Sequence, residues 1–149
     1  QAALEFLMTY GWAILLVIVV VGALYATGML KPCRWTGMQA KEFPLSEVKV
    51  EPIRITPTEL VFQVYYQQAG DAILNNVVVT GTADGTPVTV GSITPSSTTF
   101  SASSPVVVTV SLSGANSGAC ADFSITLNYT KPGASTYTLA SGKITGPVS

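Results

Sequence analysis

The chain has 149 residues, 48% of them hydrophobic and only 10% charged, with seven Lys+Arg against eight Asp+Glu. That length holds one ordinary domain and a short appendage, and so balanced a charge leaves no basic surface for a phosphate backbone, so nucleic acid is not an expected partner. Histidine is absent and only two cysteines occur, which excludes the common zinc and haem sites and His-dependent catalysis; neither a cofactor nor a metal is expected.

The apolar excess sits at the start. From Phe6 to Leu30 the sequence FLMTYGWAILLVIVVVGALYATGML carries no charge. These 25 positions predict a helix of roughly 37 Å, longer than the ~30 Å hydrocarbon core of a bilayer. The run Val17-Ile18-Val19-Val20-Val21 would suit a strand in a small core, but an unbroken segment this long reads as helix. Apolar on every face, it cannot lie on the surface of a globular domain; its stable homes are lipid or a bundle of its own kind. The expected division is a hydrophobic helix over residues 1–31 and a head over 32–149. Tyr10, Trp12 and Tyr25 fall toward the ends of the segment, as interfacial aromatics or as plain packing residues. Gly22 and Ala26 have the small-xxx-small spacing that lets helices approach closely, as do Ala23 and Thr27. Lys31 and Arg34 suit a helix C-terminus.

The first residue is Gln1, not Met, which implies a leader cut off ahead of the apolar stretch. An ordinary secretory signal is removed together with its apolar core. Glu5 is a carboxylate at the edge of this segment. Deep in a membrane it would cost on the order of 2.5–3.5 kcal/mol without a partner. The α-amino group of Gln1, its own or a neighbouring copy's, is one candidate partner; a capping glutamate at the membrane surface is the other reading.

The stretch QAALEFLMTYGWAILLVIVVVGAL resembles the mature N-terminus of archaeal type IV pilins made with a class III signal peptide. In that family a prepilin peptidase cuts just ahead of a glutamine and the apolar helix is kept as the filament core. Gln1 matches the processing position and Glu5 the glutamate typical of pilin-like proteins, while Ala3 and Thr9 stand where serine and leucine are frequent. The resemblance covers about the first 30 residues. It implies a subunit held in the membrane before assembly and then built into an extracellular cell-surface filament. Its partners would be other copies of itself, the prepilin peptidase and a membrane-embedded assembly machine powered by a cytoplasmic ATPase; its role would be surface adhesion or cell–cell contact. An archaellin-type swimming filament uses the same parts. A membrane-anchored monomeric binding protein fits the hydropathy equally well.

After Pro32 the composition changes. Short β-rich runs recur at Val48–Ile55, Leu60–Gln67, Ile73–Thr80, Val88–Ile93, Val106–Leu112, Phe123–Thr130 and Tyr137–Ile144. Alternation is clearest for Phe123, Ile125, Leu127 and Tyr129 against Ser124, Thr126, Asn128 and Thr130. Turn signals such as Thr56-Pro57, Gly70-Asp71, Ala83-Asp84-Gly85 and Pro132-Gly133 separate the runs. The expected class is α+β, with the helix followed by an antiparallel β-sandwich. The stretch Val64–Val79 is similar to strand pairs of immunoglobulin-like surface modules.

Cys33 and Cys120, even in number beside export features, predict one disulfide joining the base of the helix to the segment before the Phe123 strand. Asn128-Tyr129-Thr130 is an N-glycosylation sequon on the polar side of its strand. Nine of the thirteen residues from Ser92 to Ser104 are Ser or Thr. They read as an exposed loop, or as an O-glycosylated one at Ser96, Ser97, Thr98, Thr99, Ser101, Ser103 and Ser104. The carboxylates show no paired spacing, and no nucleophile elbow, phosphate loop or metal-ligand spacing accompanies the serines, so an enzyme is not expected.

Overall fold

The structure, a computed structural model, describes residues 2–27, 29 and 31–149. Helix α1 runs over Ala2–Ala26 and the short helix α2 over Pro32–Thr36. Nine strands follow: β1 (Gln39–Lys41), β2 (Val48–Ile55), β3 (Glu59–Tyr66), β4 (Ala72–Ala83), β5 (Thr86–Pro95), β6 (Thr99–Phe100), β7 (Val106–Ser113), β8 (Cys120–Thr130) and β9 (Tyr137–Pro147). The chain is α+β, an apolar helix followed by an antiparallel β head.

All seven expected strands form. The two additional ones, β1 and β6, are three and two residues long and carry no alternating pattern of their own; each exists because a longer strand offers it a free edge. The hydrogen-bonded order is β1-β9-β8-β4-β5-β7-β3-β2, with β6 on the edge of β4. Strand β5 belongs to both halves of this path. Its first residues, Thr86–Val88, pair with β4, and Thr89–Pro95 pair with β7. The sheet therefore bends through β5 instead of breaking there. Its far ends meet where Ser149 donates from both its backbone N–H (2.9 Å) and its hydroxyl (2.8 Å) to the Ile55 carbonyl. A two-sheet sandwich was expected from strand count alone; a single curled, barrel-like path is what the shared strand produces. Strands β3 and β4, which bound the Val64–Val79 stretch, lie in different halves and do not pair with each other.

One face of every long strand fills the interior. Phe123, Ile125, Leu127 and Tyr129 of β8 are buried, as are Leu60, Phe62 and Val64 of β3 and Val106, Val108 and Val110 of β7. The period of two predicted for β8 is the period observed. Where β9 passes under the β1–β2 connection, Gly142 leaves the space that the Phe43 ring occupies; a Cβ there would lie 2.5 Å from ring carbons.

At the end of the head far from α1, Tyr66, Phe100 and Tyr129 stack edge to face with centroids 6.0–6.2 Å apart. The buried Tyr129 hydroxyl donates to Glu47 Oε2 at 2.6 Å, and Lys131 forms an ion pair with the other carboxylate oxygen. The Lys131 hydrogen bond, then that of Tyr129, holds Glu47 below the usual carboxylate range. Burial, then the Glu47 hydrogen bond, pushes the Tyr129 phenol well above its usual value. The lowered carboxyl stabilises the fold above its ordinary pKa, near 4.3, and that contribution disappears as pH falls through the lowered value. The raised phenol stabilises the fold below about pH 10 and that contribution disappears as pH rises further. The melting temperature of the head is thus expected to form a plateau that falls away in acid and in strong alkali. Calorimetry across pH on the wild type and on Glu47→Gln checks this: the variant should lose part of both limbs, and identical profiles would refute the assignment.

Candidate functional site

The most unusual surface of the molecule is the helix. Every residue from Ala2 to Ala26 is helical and none is buried. The aliphatic side chains Leu15, Leu16, Val17, Ile18, Val19, Val20 and Val21 are all exposed, so the segment is apolar around its whole circumference with nothing packed on it. At this length and composition α1 can cross a membrane. Gln1, the expected processing position, lies outside the described residues. Glu5 occupies the first turn of α1, where a carboxylate complements the positive end of the helix dipole. Among the described residues no cation lies within ion-pair distance of Glu5. Gly22 and Ala26 lie four residues apart on one exposed helix face, and the space over Gly22 is open. The Phe6 and Tyr10 rings lean together at 5.0 Å along another part of the surface.

The neck that joins α1 to the head is clamped at several points. Cys33 of α2 is bonded to Cys120, the first residue of β8, as expected, with Cα atoms 5.7 Å apart. Lys31 Nζ pairs with Asp84 Oδ2 at 2.7 Å, and Asp84 Oδ1 accepts the Cys120 N–H at 2.9 Å. The Lys31 hydrogen bond, then the Cys120 N–H, lowers the Asp84 pKa. Asp84 lies in the β4–β5 turn at φ 52°, followed by Gly85 at φ 80°, a left-handed pair suited to a tight hairpin. Arg34 Nη1 donates to the Thr27 carbonyl at 3.5 Å just past the end of α1, and Trp35 Nε1 donates to the Met29 carbonyl at 2.7 Å. Of the two cations expected at the helix C-terminus, Arg34 is therefore there, whereas Lys31 turns to the head. Asp84 and Trp35 were not singled out by sequence reasoning: Asp84 reads locally as a turn residue, and its partner lies 53 residues away. Between the end of α1 and the head a cleft of about 810 Å³ is lined by Tyr25, Thr27, Lys31, Arg34, Asp84 and Gly118.

The expected glycan positions are divided by the fold. Asn128 lies in mid-strand on the outer face of β8, half-buried, and accepts from Asn75 Nδ2 at 3.2 Å. The same amide donates to the sequon hydroxyl of Thr130 at 2.8 Å. Ser96, Ser97, Thr98, Thr99, Ser103 and Ser104 are exposed, but Ser101 is buried. Its hydroxyl accepts the Ser104 N–H at 3.1 Å and lies 3.4 Å from that of Ser103, so this serine closes its own turn. Among the described residues no group of His, Cys, Asp and Glu side chains could hold a metal ion. No protein-family model, curated protein or solved structure matches this chain.

Proposed function

We propose that the chain is the structural subunit of an archaeal type IV pilus-like filament, polymerising through α1 and displaying the head for surface adhesion or cell–cell contact. The observation that carries this reading is α1 itself: 25 residues, apolar on all sides and unburied, with a carboxylate in its first turn that has no ion-pair partner among the described residues. Burying a Val, Leu or Ile side chain is worth roughly 1.5–3 kcal/mol against water, so the helix must be covered by lipid or by its own kind. Before assembly the covering is the membrane; in the filament it is the bundle of neighbouring helices. Exchange between two apolar surroundings is close to balanced, which leaves packing and the pairing of Glu5 to decide it. On this reading the prepilin peptidase acts ahead of Gln1, Glu5 pairs with the N-terminal amine of an adjacent copy, and Gly22 and Ala26 allow close helix approach. The antiparallel β head serves as the module displayed outside the cell, and no catalysis is assigned to it. An archaellin-type filament would use the same helix in the same way.

The alternative is a monomer tethered by α1, and Glu5→Ala separates the two. Wild-type cells should shed thin filaments containing this chain on shearing, visible by negative staining. The Glu5→Ala chain should stay in the membrane fraction with few or no filaments, a loss of at least about tenfold, because the partner amine would then lie unpaired among apolar helices at a cost of about 2.5–3.5 kcal/mol. Normal filaments from the variant would remove Glu5 from the mechanism, and a wild type that sheds none would favour the tethered monomer.

A further inference from the structure

We propose that the neck seats the head on a phospholipid headgroup layer, with the Trp35 indole lying in that layer and the Arg34 guanidinium bound to lipid phosphate. This rests on the reading that α1 lies in a bilayer before assembly. The neck follows the apolar helix directly, so the surface it presents is continuous with the span. Trp35 is 74% exposed and Tyr25 77% exposed, and Met29, whose carbonyl Trp35 reaches, is exposed as well. The indole is not free to hide: its Nε1 is held to the Met29 carbonyl, so the ring projects from the start of the neck with its polar atom already satisfied. An apolar ring with a satisfied polar edge, fixed next to a span, has the chemistry of a membrane-interface anchor.

The charges beside it point to the same occupant. Lys31 is neutralised by Asp84. Arg34 is exposed and, among the described residues, has no carboxylate within ion-pair distance; the guanidinium's one hydrogen bond among them is the long one to the Thr27 carbonyl. A planar guanidinium with donors to spare matches phosphate oxygens. The disulfide and the Lys31–Asp84 pair fix α2 against the head, so seating Trp35 and Arg34 also fixes the tilt and height of the head above the bilayer.

The test uses the full chain carrying Trp12→Phe, which leaves Trp35 as its only tryptophan, in phosphatidylcholine vesicles with or without phosphatidylglycerol. Flotation first reports whether α1 enters the bilayer. Trp35 fluorescence should then be quenched more strongly by lipids labelled near the headgroup than by lipids labelled near the chain end, and only weakly by aqueous acrylamide. Arg34→Gln should shift Trp35 toward the acrylamide-accessible state by about fivefold on anionic vesicles, the value of one basic contact with such a surface. It should do so less on neutral ones, a lipid dependence that mere loosening of the neck would not show. A floating chain whose Trp35 is as open to acrylamide as a free tryptophan derivative overturns the seating of the neck alone. So does an Arg34→Gln effect identical on both vesicles. A chain that fails to float overturns the membrane reading and the seating of the neck with it.

Discussion

Replacing Cys33 and Cys120 together by serine is expected to lower the unfolding free energy of the head by about 4.6 kcal/mol. The bridge spans 87 residues and encloses strands β1 to β7. A crosslink over so long a loop removes much of the freedom of the unfolded chain, and the chain-entropy relation gives that magnitude. For a domain of this size the loss corresponds to a fall in melting temperature of roughly 15–20 °C. Among the described residues, no other cross-link at the neck replaces it. The Lys31–Asp84 pair is exposed on both sides, and such pairs contribute at most about 1 kcal/mol. The double variant should still fold cooperatively, because the buried sets on β3, β7 and β8 do not involve the bridge. Scanning calorimetry of wild type and variant, the wild type repeated with reductant, reads the effect directly. A wild-type head whose melting is indifferent to reductant would show that the bridge does not constrain the unfolded chain.

Most of this architecture is legible where local pattern and tertiary packing agree. Phe123, Ile125, Leu127 and Tyr129 alternate with polar residues, and all four point into the core. The uniform apolarity of Ala2–Ala26 reads as helix because no strand runs so long, and helix it is. Legibility fails where a partner far along the chain decides. Gln39–Lys41 has nothing strand-like about it until the edge of β9 pairs with it. The change of partner halfway along β5 is a property of how two halves of the sheet meet, and no window of sequence contains it. Lys31 follows the helix-dipole rule in isolation, yet an aspartate in a distant turn lies closer to its ammonium group. Ser101 shares its composition with exposed neighbours but is turned inward by the hydrogen bonds of its own turn. The site shows the same division. That α1 must be covered follows from its residues, while what covers it lies outside the chain.

If α1 is the membrane span and filament core proposed above, Ile14→Lys is expected to keep the chain out of lipid and out of filaments while leaving the head intact. Ile14 is the middle residue of the 25 in α1, about 18 Å from either end at 1.5 Å per residue. Glu5, three residues from the start of α1, can remain near an interface. A lysine at the centre cannot, because its stem falls well short of that distance. A charge at the centre of a spanning helix costs about 2.5–3.5 kcal/mol. That is on the order of 100-fold in the insertion equilibrium, and every subunit of a polymer would bear it. Because α1 has no buried residue, the melting temperature of the head should be unchanged, which separates failed insertion from failed folding. Ile14→Leu, which keeps size and apolarity, should float with vesicles and, on the filament reading, assemble to the same extent as the unsubstituted chain. Flotation and negative staining of the three chains provide the readout. Intact filaments built from the Ile14→Lys chain would mean that the middle of α1 faces water in the assembly, and burial of the helix could then no longer be what drives polymerisation.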